Sequence, residues 1–164
     1  MNRRDIQAIF LIFFVVSADQ LTKLWIMKTL PLYGIRIIIP GFFNLVHVTN
    51  TGAAFGLLAG EHALWRQVFF IVVALVALAA IFFAYREVKA KRFVFTVAVG
   101  LIAGGALGNL VDRVRFGAVV DFLDFYMKNY HWPAFNVADS AIFVGVGLFL
   151  AAGLFGGDHG LLKE

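Results

Sequence analysis

Residues 68–84 read VFFIVVALVALAAIFFA, an unbroken run of apolar side chains. At about 1.5 Å of helix rise per residue, such a run nearly crosses a hydrocarbon core about 30 Å thick. The whole chain shares this character, because 62% of its 164 residues are apolar and only 15% are charged, whereas soluble domains carry about a quarter charged residues. The composition therefore predicts an integral membrane protein with a single domain that covers residues 1–164.

Three further apolar stretches flank this run and predict four transmembrane helices. The first stretch follows Arg3 and Arg4 and contains a weak signal-peptide cleavage pattern, VSA at 16–18. A spanning helix is favoured over a cleaved signal peptide, because the apolar pattern resumes after these residues instead of ending. The four spans are predicted at residues 6–27, 68–85, 93–111 and 140–157.

Basic residues set the predicted orientation of these spans. Cytoplasmic loops of membrane proteins are enriched in Lys and Arg, and the short link between the second and third spans is dense in them. We therefore expect both termini in the cytoplasm and residues 29–66 and 112–138 at the outer face. The net charge of the chain is +4, and its basic residues lie at the edges of the apolar runs. This charge therefore does not indicate nucleic acid binding. The basic residues of the link are Arg86, Lys89, Lys91 and Arg92.

The two outer segments carry patterns of their own. Residues 35–39 and 44–49 are rich in β-branched and aliphatic side chains, and the Pro-Gly pair at 40–41 suits a turn, so a small β element is predicted. Residues 55–65 are mostly apolar and predict an interfacial helix. The predicted fold class is an all-α membrane protein with four transmembrane helices, a small extracytoplasmic β element and an interfacial helix.

Side chains for common catalytic chemistries are scarce in this chain. It has no Cys, its only serines are Ser17 and Ser140, and neither serine has a His close in the sequence to act as a base. The sequence contains no HExxH motif or other metal-ligand spacing, so a zinc site is not expected. An unpaired carboxylate inside a membrane costs several kcal/mol, so each remaining Asp requires a partner or a function.

Several of these carboxylates have both a structural and a functional interpretation. Asp19 and Lys23 lie four residues apart in the first span, in the order that favours an ion pair within a helix. Asp139 follows Asn136 at the start of the fourth span, where the two form a helix-capping pattern. Asp121 lies among apolar neighbours at the membrane edge. Asp121 and Asp139 also suit an aspartyl pair that shares one proton, and these residues alone leave the interpretations open.

Five short blocks of sequence occur together in the order typical of one enzyme family. They are DQLTK at 19–23, NTGAAF at 50–55, GGALGNLVDR at 104–113, VVDF at 119–122 and FNVADS at 135–140. Through these blocks the chain resembles the lipoprotein signal peptidase (signal peptidase II) family, aspartyl peptidases of the bacterial inner membrane. Each block alone is a weak signal, whereas the five together are specific. That family has four spans, cytoplasmic termini and a catalytic Asp pair at the outer face.

The resemblance implies a role for each matching residue. Asp121 and Asp139 match the catalytic pair, and Asp19 and Lys23 match positions with a supporting role. The residues that match substrate-binding positions are Asn50, Gly52, Asn109, Arg113 and Asn136. The implied reaction removes the signal peptide of a prolipoprotein on the amino side of its diacylglyceryl-modified Cys, without a metal or cofactor. The implied partners are these substrates and membrane lipids, with the enzyme as a monomer.

Two rival classes of protein remain at the level of sequence. The main rival is a small four-span transporter or channel subunit, and the second is a non-catalytic scaffold for lipoproteins. Transporters keep their charged residues near the middle of the membrane at a repeat interface, whereas Asp121, Asp139, Arg113 and Asn50 all gather at one predicted face. Asp139, beside a helix N-terminus, is predicted to be the base, and Asp121, among apolar neighbours, the initial acid.

Overall fold

The computed structural model describes residues 2–52, 60, 63–87 and 93–155. Over these residues the chain forms four helices and four strands. The helices are α1 (Arg3–Thr29), α2 (Leu64–Glu87), α3 (Phe93–Phe116) and α4 (Val137–Phe155). The strands are β1 (Ile35–Ile39), β2 (Phe43–Asn50), β3 (Val119–Met127) and β4 (Tyr130–His131).

Three helices of the described chain, α1, α2 and α3, are long and apolar enough to cross a membrane. The apolar stretch of α4, Val137–Ala152, is shorter. The prediction of a mostly helical chain with membrane-capable helices is thus confirmed. Helix α3 continues past the predicted end of the third span, so Asp112 and Arg113 belong to this helix and not to the segment after it. Most of the predicted interfacial helix, residues 55–65, lies outside the described residues.

Helix α3 lies at the centre of the helical part, since α1, α2 and α4 all pack against it. Glycine residues allow this close approach, as is common between helices in membranes. A methyl group added at Gly104 would lie 2.8 Å from the Cβ of Val15 in α1, and one added at Gly105 would collide with the carbonyl oxygen of Ala138 in α4. The first turn of α4 therefore lies directly against α3, which brings the predicted site residues of the two helices together.

The strands form one antiparallel sheet in the order β1-β2-β3-β4. Strands β1 and β2 confirm the predicted β element, and Gly41 in the turn between them has a φ of 78°, a conformation that favours Gly. Strand β3 is not predicted from the sequence; it pairs with β2 and sets Asp121 opposite Val48. Strand β3 follows α3, and β4 precedes α4. The sheet is therefore attached to the end of α3 and to the start of α4.

The close packing of α4 on α3 can be tested by adding one methyl group. We expect Gly105→Ala to lower the free energy of unfolding by about 1–3 kcal/mol, because the methyl group meets the backbone of Ala138, which cannot rotate away. Gly147→Ala is the matched control, since none of the residues that the structure describes lies within 4 Å of its added methyl group and Ala favours a helix. Thermal unfolding in detergent micelles measures both variants. Equal stability of the two would contradict the close approach.

Candidate active site

A cavity of about 680 Å³ lies where the end of α3, the start of α4 and strand β3 meet. Its polar lining consists of Asn50, Asn109, Arg113, Asp121, Asp139 and Ser140. The apolar lining consists of Val119, Trp132, Pro133, Ala134, Phe135, Ile142, Phe143, Val144 and Val146. A mostly apolar cavity with a few polar groups is the usual form of a ligand-binding site. Five of the predicted site residues therefore meet here, whereas Gly52 and Asn136 are not among the lining residues.

Asp121 is a buried residue of β3, with 3% of its surface exposed. Its Oδ1 accepts a hydrogen bond of 2.7 Å from Asn136 Nδ2, and the Asn50 side chain also hydrogen-bonds to it. Burial, together with the nearby charge of Asp139, raises the pKa of Asp121 to about 7, although the amide donors and Lys23 act in the opposite direction. A protonated Asp121 side chain is therefore available near neutral pH, where an ordinary Asp is ionised.

Asp139 is the third residue of α4 and takes part in the cap of that helix. Its N–H donates to Asn136 Oδ1 over 2.9 Å, and the N–H of Asn136 donates to Asp139 Oδ2 over 3.3 Å. This is the reciprocal capping arrangement that the sequence predicts. The other carboxylate oxygen, Oδ1, accepts a hydrogen bond of 2.7 Å from Asn109 Nδ2. Asp139 is thus a helix cap and a cavity carboxylate at the same time.

Two asparagine amides connect the two carboxylates. Asn136 has no exposed surface, and its Nδ2 lies 3.3 Å from Asn109 Oδ1 and 3.2 Å from the carbonyl oxygen of Val120. Asp121 and Asp139 are therefore joined through two side-chain amides, each of which donates to one carboxylate. Because every member of this chain of contacts has a fixed partner, the network restricts the positions of both carboxylates.

Arg113 lines the cavity near the end of α3 and has partners on two sides. Its Nη2 donates to the carbonyl oxygen of Gly52 over 3.1 Å. Its guanidinium group also lies over the ring of Phe70, 5.2 Å from the ring centroid, in a cation–π contact. The N–H of Gly52 donates in turn to Asn50 Oδ1 over 2.9 Å. In this structure Gly52 therefore acts as a partner of two cavity side chains.

Asp19, Lys23 and Asp112 form a buried charged cluster next to the amide network. Lys23 Nζ lies 2.8 Å from Asp19 Oδ2 and 2.9 Å from Asp112 Oδ2, and each of the three side chains is at most 1% exposed. Lys23 also donates to Asn109 Oδ1 over 3.0 Å. The predicted ion pair of Asp19 with Lys23 is confirmed. The second partner, Asp112, is not predicted from the sequence, although it lies about one helical turn after Asn109.

Asp124 is the other carboxylate of β3 and lies in a different environment. Side chains along a strand alternate between its two faces, so a separation of three residues sets Asp124 and Asp121 on opposite faces. Asp124 accepts a hydrogen bond of 2.8 Å from Asn44 Nδ2 and lies 2.8 Å from His131 Nδ1. Asp124 does not line the cavity, so it is a natural control for Asp121.

Sequence reasoning misses the apolar lining of the cavity. Residues 132–135 lie between β4 and α4, and Phe135 is bound to β3 because its N–H donates to the carbonyl oxygen of Leu123 over 3.1 Å. The signal for these residues is that Phe135 is the first residue of the FNVADS block and that residues 132–134 directly precede it. Ser140 also lines the cavity, and its Oγ donates to the carbonyl oxygen of Asn136 over 2.9 Å.

Comparisons with known proteins agree with this arrangement of residues. The family model described as signal peptidase (SPase) II matches residues 11–155. The lipoprotein signal peptidase of Syntrophotalea carbinolica is 52% identical over 138 residues, which are 84% of each protein. This chain belongs to the signal peptidase II family. The lipoprotein signal peptidase of Desulforapulum autotrophicum is 45% identical over 151 residues, which are 92% of this chain and 93% of that protein.

Two solved structures share the fold of this chain. A structure described as a bacterial membrane enzyme superposes with a TM-score of 0.83 at 35% identity, over 96% of this chain and 93% of that one. A second, described in similar words, has a TM-score of 0.78 at 36% identity, over 90% and 92% of the two chains. The chain is accordingly a membrane peptidase of the aspartic type, as predicted. The comparisons lend no support to the transporter or channel alternative.

The raised pKa of Asp121 predicts how the stability of this chain depends on pH. In the unfolded chain an Asp carboxyl loses its proton at about pH 3.9, whereas the folded protein keeps this proton up to about pH 7. Between these values the folded state binds more protons than the unfolded state, so the free energy of unfolding falls as the pH rises. The stabilisation is fully present below about pH 4 and is lost by about pH 7.

Asp121→Asn removes this dependence, because an amide does not titrate. Across the same range we expect the unfolding free energy of the parent to fall relative to that of the variant, by up to about 1.4 kcal/mol per pH unit. Chemical unfolding in detergent micelles at several pH values measures the difference. A difference that stays constant with pH would contradict the raised pKa.

Proposed function

We propose that this chain removes the signal peptides of prolipoproteins and cuts on the amino side of a Cys that carries diacylglyceryl. The observation that carries the proposal is that two carboxylates from different elements, Asp121 and Asp139, line one mostly apolar cavity. Membership of the signal peptidase II family supports the same reaction. The apolar lining suits a substrate whose signal peptide and lipid are themselves apolar.

In the proposed reaction Asp139 acts as the base and Asp121 as the acid. Asp139 takes a proton from a water molecule, and the water oxygen adds to the scissile carbonyl carbon. The proton of Asp121 then moves to the amide nitrogen as the C–N bond breaks, which supplies the acid and the base that amide hydrolysis needs. The pKa of about 7 supports Asp121 as the proton donor. Asn136 N–H and Asn109 Nδ2 each donate to one oxygen of Asp139 and hold the carboxylate in position for this role.

The polar residues beside the carboxylates are assigned to the substrate. Arg113 and Asn50 line the cavity and would bind the peptide backbone, with Gly52 holding both side chains. Arg113 would also stabilise the carbonyl oxygen as it becomes negative, a contribution worth about a hundredfold or more in comparable enzymes. In this assignment Asn109 and Asn136 keep the two carboxylates in position.

We further propose that α4 is the fourth transmembrane helix and that the enzyme acts as a monomer in the bacterial inner membrane. Its large apolar side chains support a lipid-facing surface, since Leu150, which is not among the cavity-lining residues, is 56% exposed. The dense basic link at 86–92 supports cytoplasmic termini and an active site at the outer face. Lipids would cover the apolar surfaces of the helices, so no second subunit is needed to bury them.

Single substitutions of the Asp residues test the catalytic assignment. We expect Asp121→Asn and Asp139→Asn each to lower kcat by about 10³-fold or more, because Asn keeps the shape of the side chain but cannot exchange a proton. Asp124→Asn is the matched control on the same strand and should keep most of the activity. Cleavage of a lipidated prolipoprotein by the purified variants in detergent measures the three rates.

The double variant adds a second check on the same assignment. Residues that act as one unit lose nearly all activity with the first substitution, so Asp121→Asn with Asp139→Asn should be no slower than either single variant. An active Asp139→Asn enzyme would leave Asp139 with its role as a helix cap alone and would contradict the mechanism.

Reporter fusions test the proposed orientation. A fluorescent protein fused after Lys163 should fluoresce in the cytoplasm, and alkaline phosphatase inserted at Gly60 should be active outside it. The physical reason is the basic link at 86–92, which is expected to stay on the cytoplasmic side. The reverse pattern at the two positions would contradict the orientation.

A further inference from the structure

Lys23 lies at one end of a chain of contacts that reaches Asp139. Lys23 Nζ donates to Asn109 Oδ1 over 3.0 Å, and Asn109 Nδ2 donates to Asp139 Oδ1 over 2.7 Å. The two ends of one amide thus face a cation on one side and a cavity carboxylate on the other. Lys23 itself is 1% exposed and is not part of the cavity lining, so its hydrogen-bonded connection to Asp139 is indirect and runs through Asn109.

The charge of Lys23 determines which way this amide faces. An ammonium group can only donate hydrogen bonds, and an ionised carboxylate can only accept them. Turning the amide by half a rotation would set its NH₂ group against Lys23 and its oxygen against Asp139, which replaces two attractive contacts with two repulsive ones. Asn136 Nδ2, 3.3 Å from Asn109 Oδ1, favours the same orientation.

The two carboxylates that bind Lys23 also fix its position relative to the rest of the site. Asp19 Oδ1 accepts a hydrogen bond of 3.0 Å from Ala138 N–H, and Asp112 Oδ2 accepts one of 3.1 Å from Val120 N–H. Ala138 and Val120 each directly precede one of the two carboxylates assigned to catalysis. The ammonium group is therefore held at a defined place with respect to both of them.

We propose that Lys23 is a positioning residue for the catalytic pair: it orients the Asn109 amide so that Nδ2 donates to Asp139. This inference rests on the proposed function and adds a role for a residue that does not touch the substrate. Lys23 exchanges no proton in the reaction. Its loss is therefore expected to slow the chemical step and to leave substrate binding intact.

Lys23→Met tests the proposal, because Met keeps an unbranched side chain but cannot donate. We expect kcat to fall by about 100-fold, the scale of a misplaced catalytic group, with KM unchanged. Gln20→Met is the matched control, since Gln20 Nε2 donates to Asp112 and Asp19 of the same cluster over 2.8 and 3.2 Å. The control should keep the kcat of the parent even where its thermal stability falls. An equal loss of kcat in both variants would overturn the proposal.

A double variant tests the proposal if the Lys23→Met protein does not fold. Lys23→Met combined with Asp19→Asn removes one cation and one anion together, so the cluster keeps its net charge, and the same loss of kcat is expected. In an Asn109→Ala background, Lys23→Met should cause little further loss, because the amide through which it acts is absent. The same fold-loss in the parent and in the Asn109→Ala background would overturn the proposal.

Nuclear magnetic resonance reports the state of the amide without any activity. In protein labelled with ¹⁵N-asparagine, the side-chain amide signal that disappears in Asn109→Ala identifies Asn109. We expect this signal to shift in Lys23→Met and to stay in place in Gln20→Met, and an unchanged signal in Lys23→Met would overturn the proposal. A parent protein that fails to cleave a lipidated prolipoprotein would refute the proposed function, whereas the spectrum tests Lys23 on its own.

Discussion

The ammonium group of Lys23 is buried among oxygen atoms from three side chains, and the relative positions of α1 and α3 depend on this contact. It lies 2.8 Å from Asp19 of its own helix and within 3.0 Å of both Asp112 and Asn109 of α3. A charge removed from water costs several kcal/mol unless its partners compensate it closely. Separating α1 from α3 would therefore leave unpaired charges on both helices, and the glycine contacts of α3 hold the two helices at the distance that this pairing needs.

The same cluster extends from the helices into the elements that carry the two carboxylates proposed for catalysis. A buried backbone N–H needs a hydrogen-bond acceptor. The N–H of Ala138 donates to Asp19, and the N–H of Val120 donates to Asp112. The first turn of α4 and the start of β3 are thus bound to the charged centre of the helical part. One group of side chains serves as an ion pair, as a link between helices and as the support of the cavity wall.

The local part of this arrangement could be predicted from the sequence, because it depends on spacing within one helix. The pair of Asp19 and Lys23 and the cap that begins at Asn136 are both of this kind. The contact of Lys23 with Asp112 joins two helices, and no spacing rule indicates it. Strand β3 could not be predicted from the sequence for a different reason. Residues 119–122 are all buried, so this stretch lacks the alternation of apolar and polar residues that marks a half-buried strand.

Asp121 and Asp139, the two carboxylates proposed for catalysis, are the same chemical group, and the fold makes their surroundings different. Asp121 lies on a buried strand, where its hydrogen-bond donors are side-chain amides and loss of water raises its pKa to about 7. Asp139 lies in the first turn of a helix, where a backbone N–H donates to it and the positive end of the helix dipole stabilises a negative charge. In the proposed mechanism, the strand and the helix that carry the two aspartates therefore distinguish the acid from the base. A substitution that preserves both aspartates but moves the start of α4 would therefore disturb the chemistry as directly as one that removes a carboxylate.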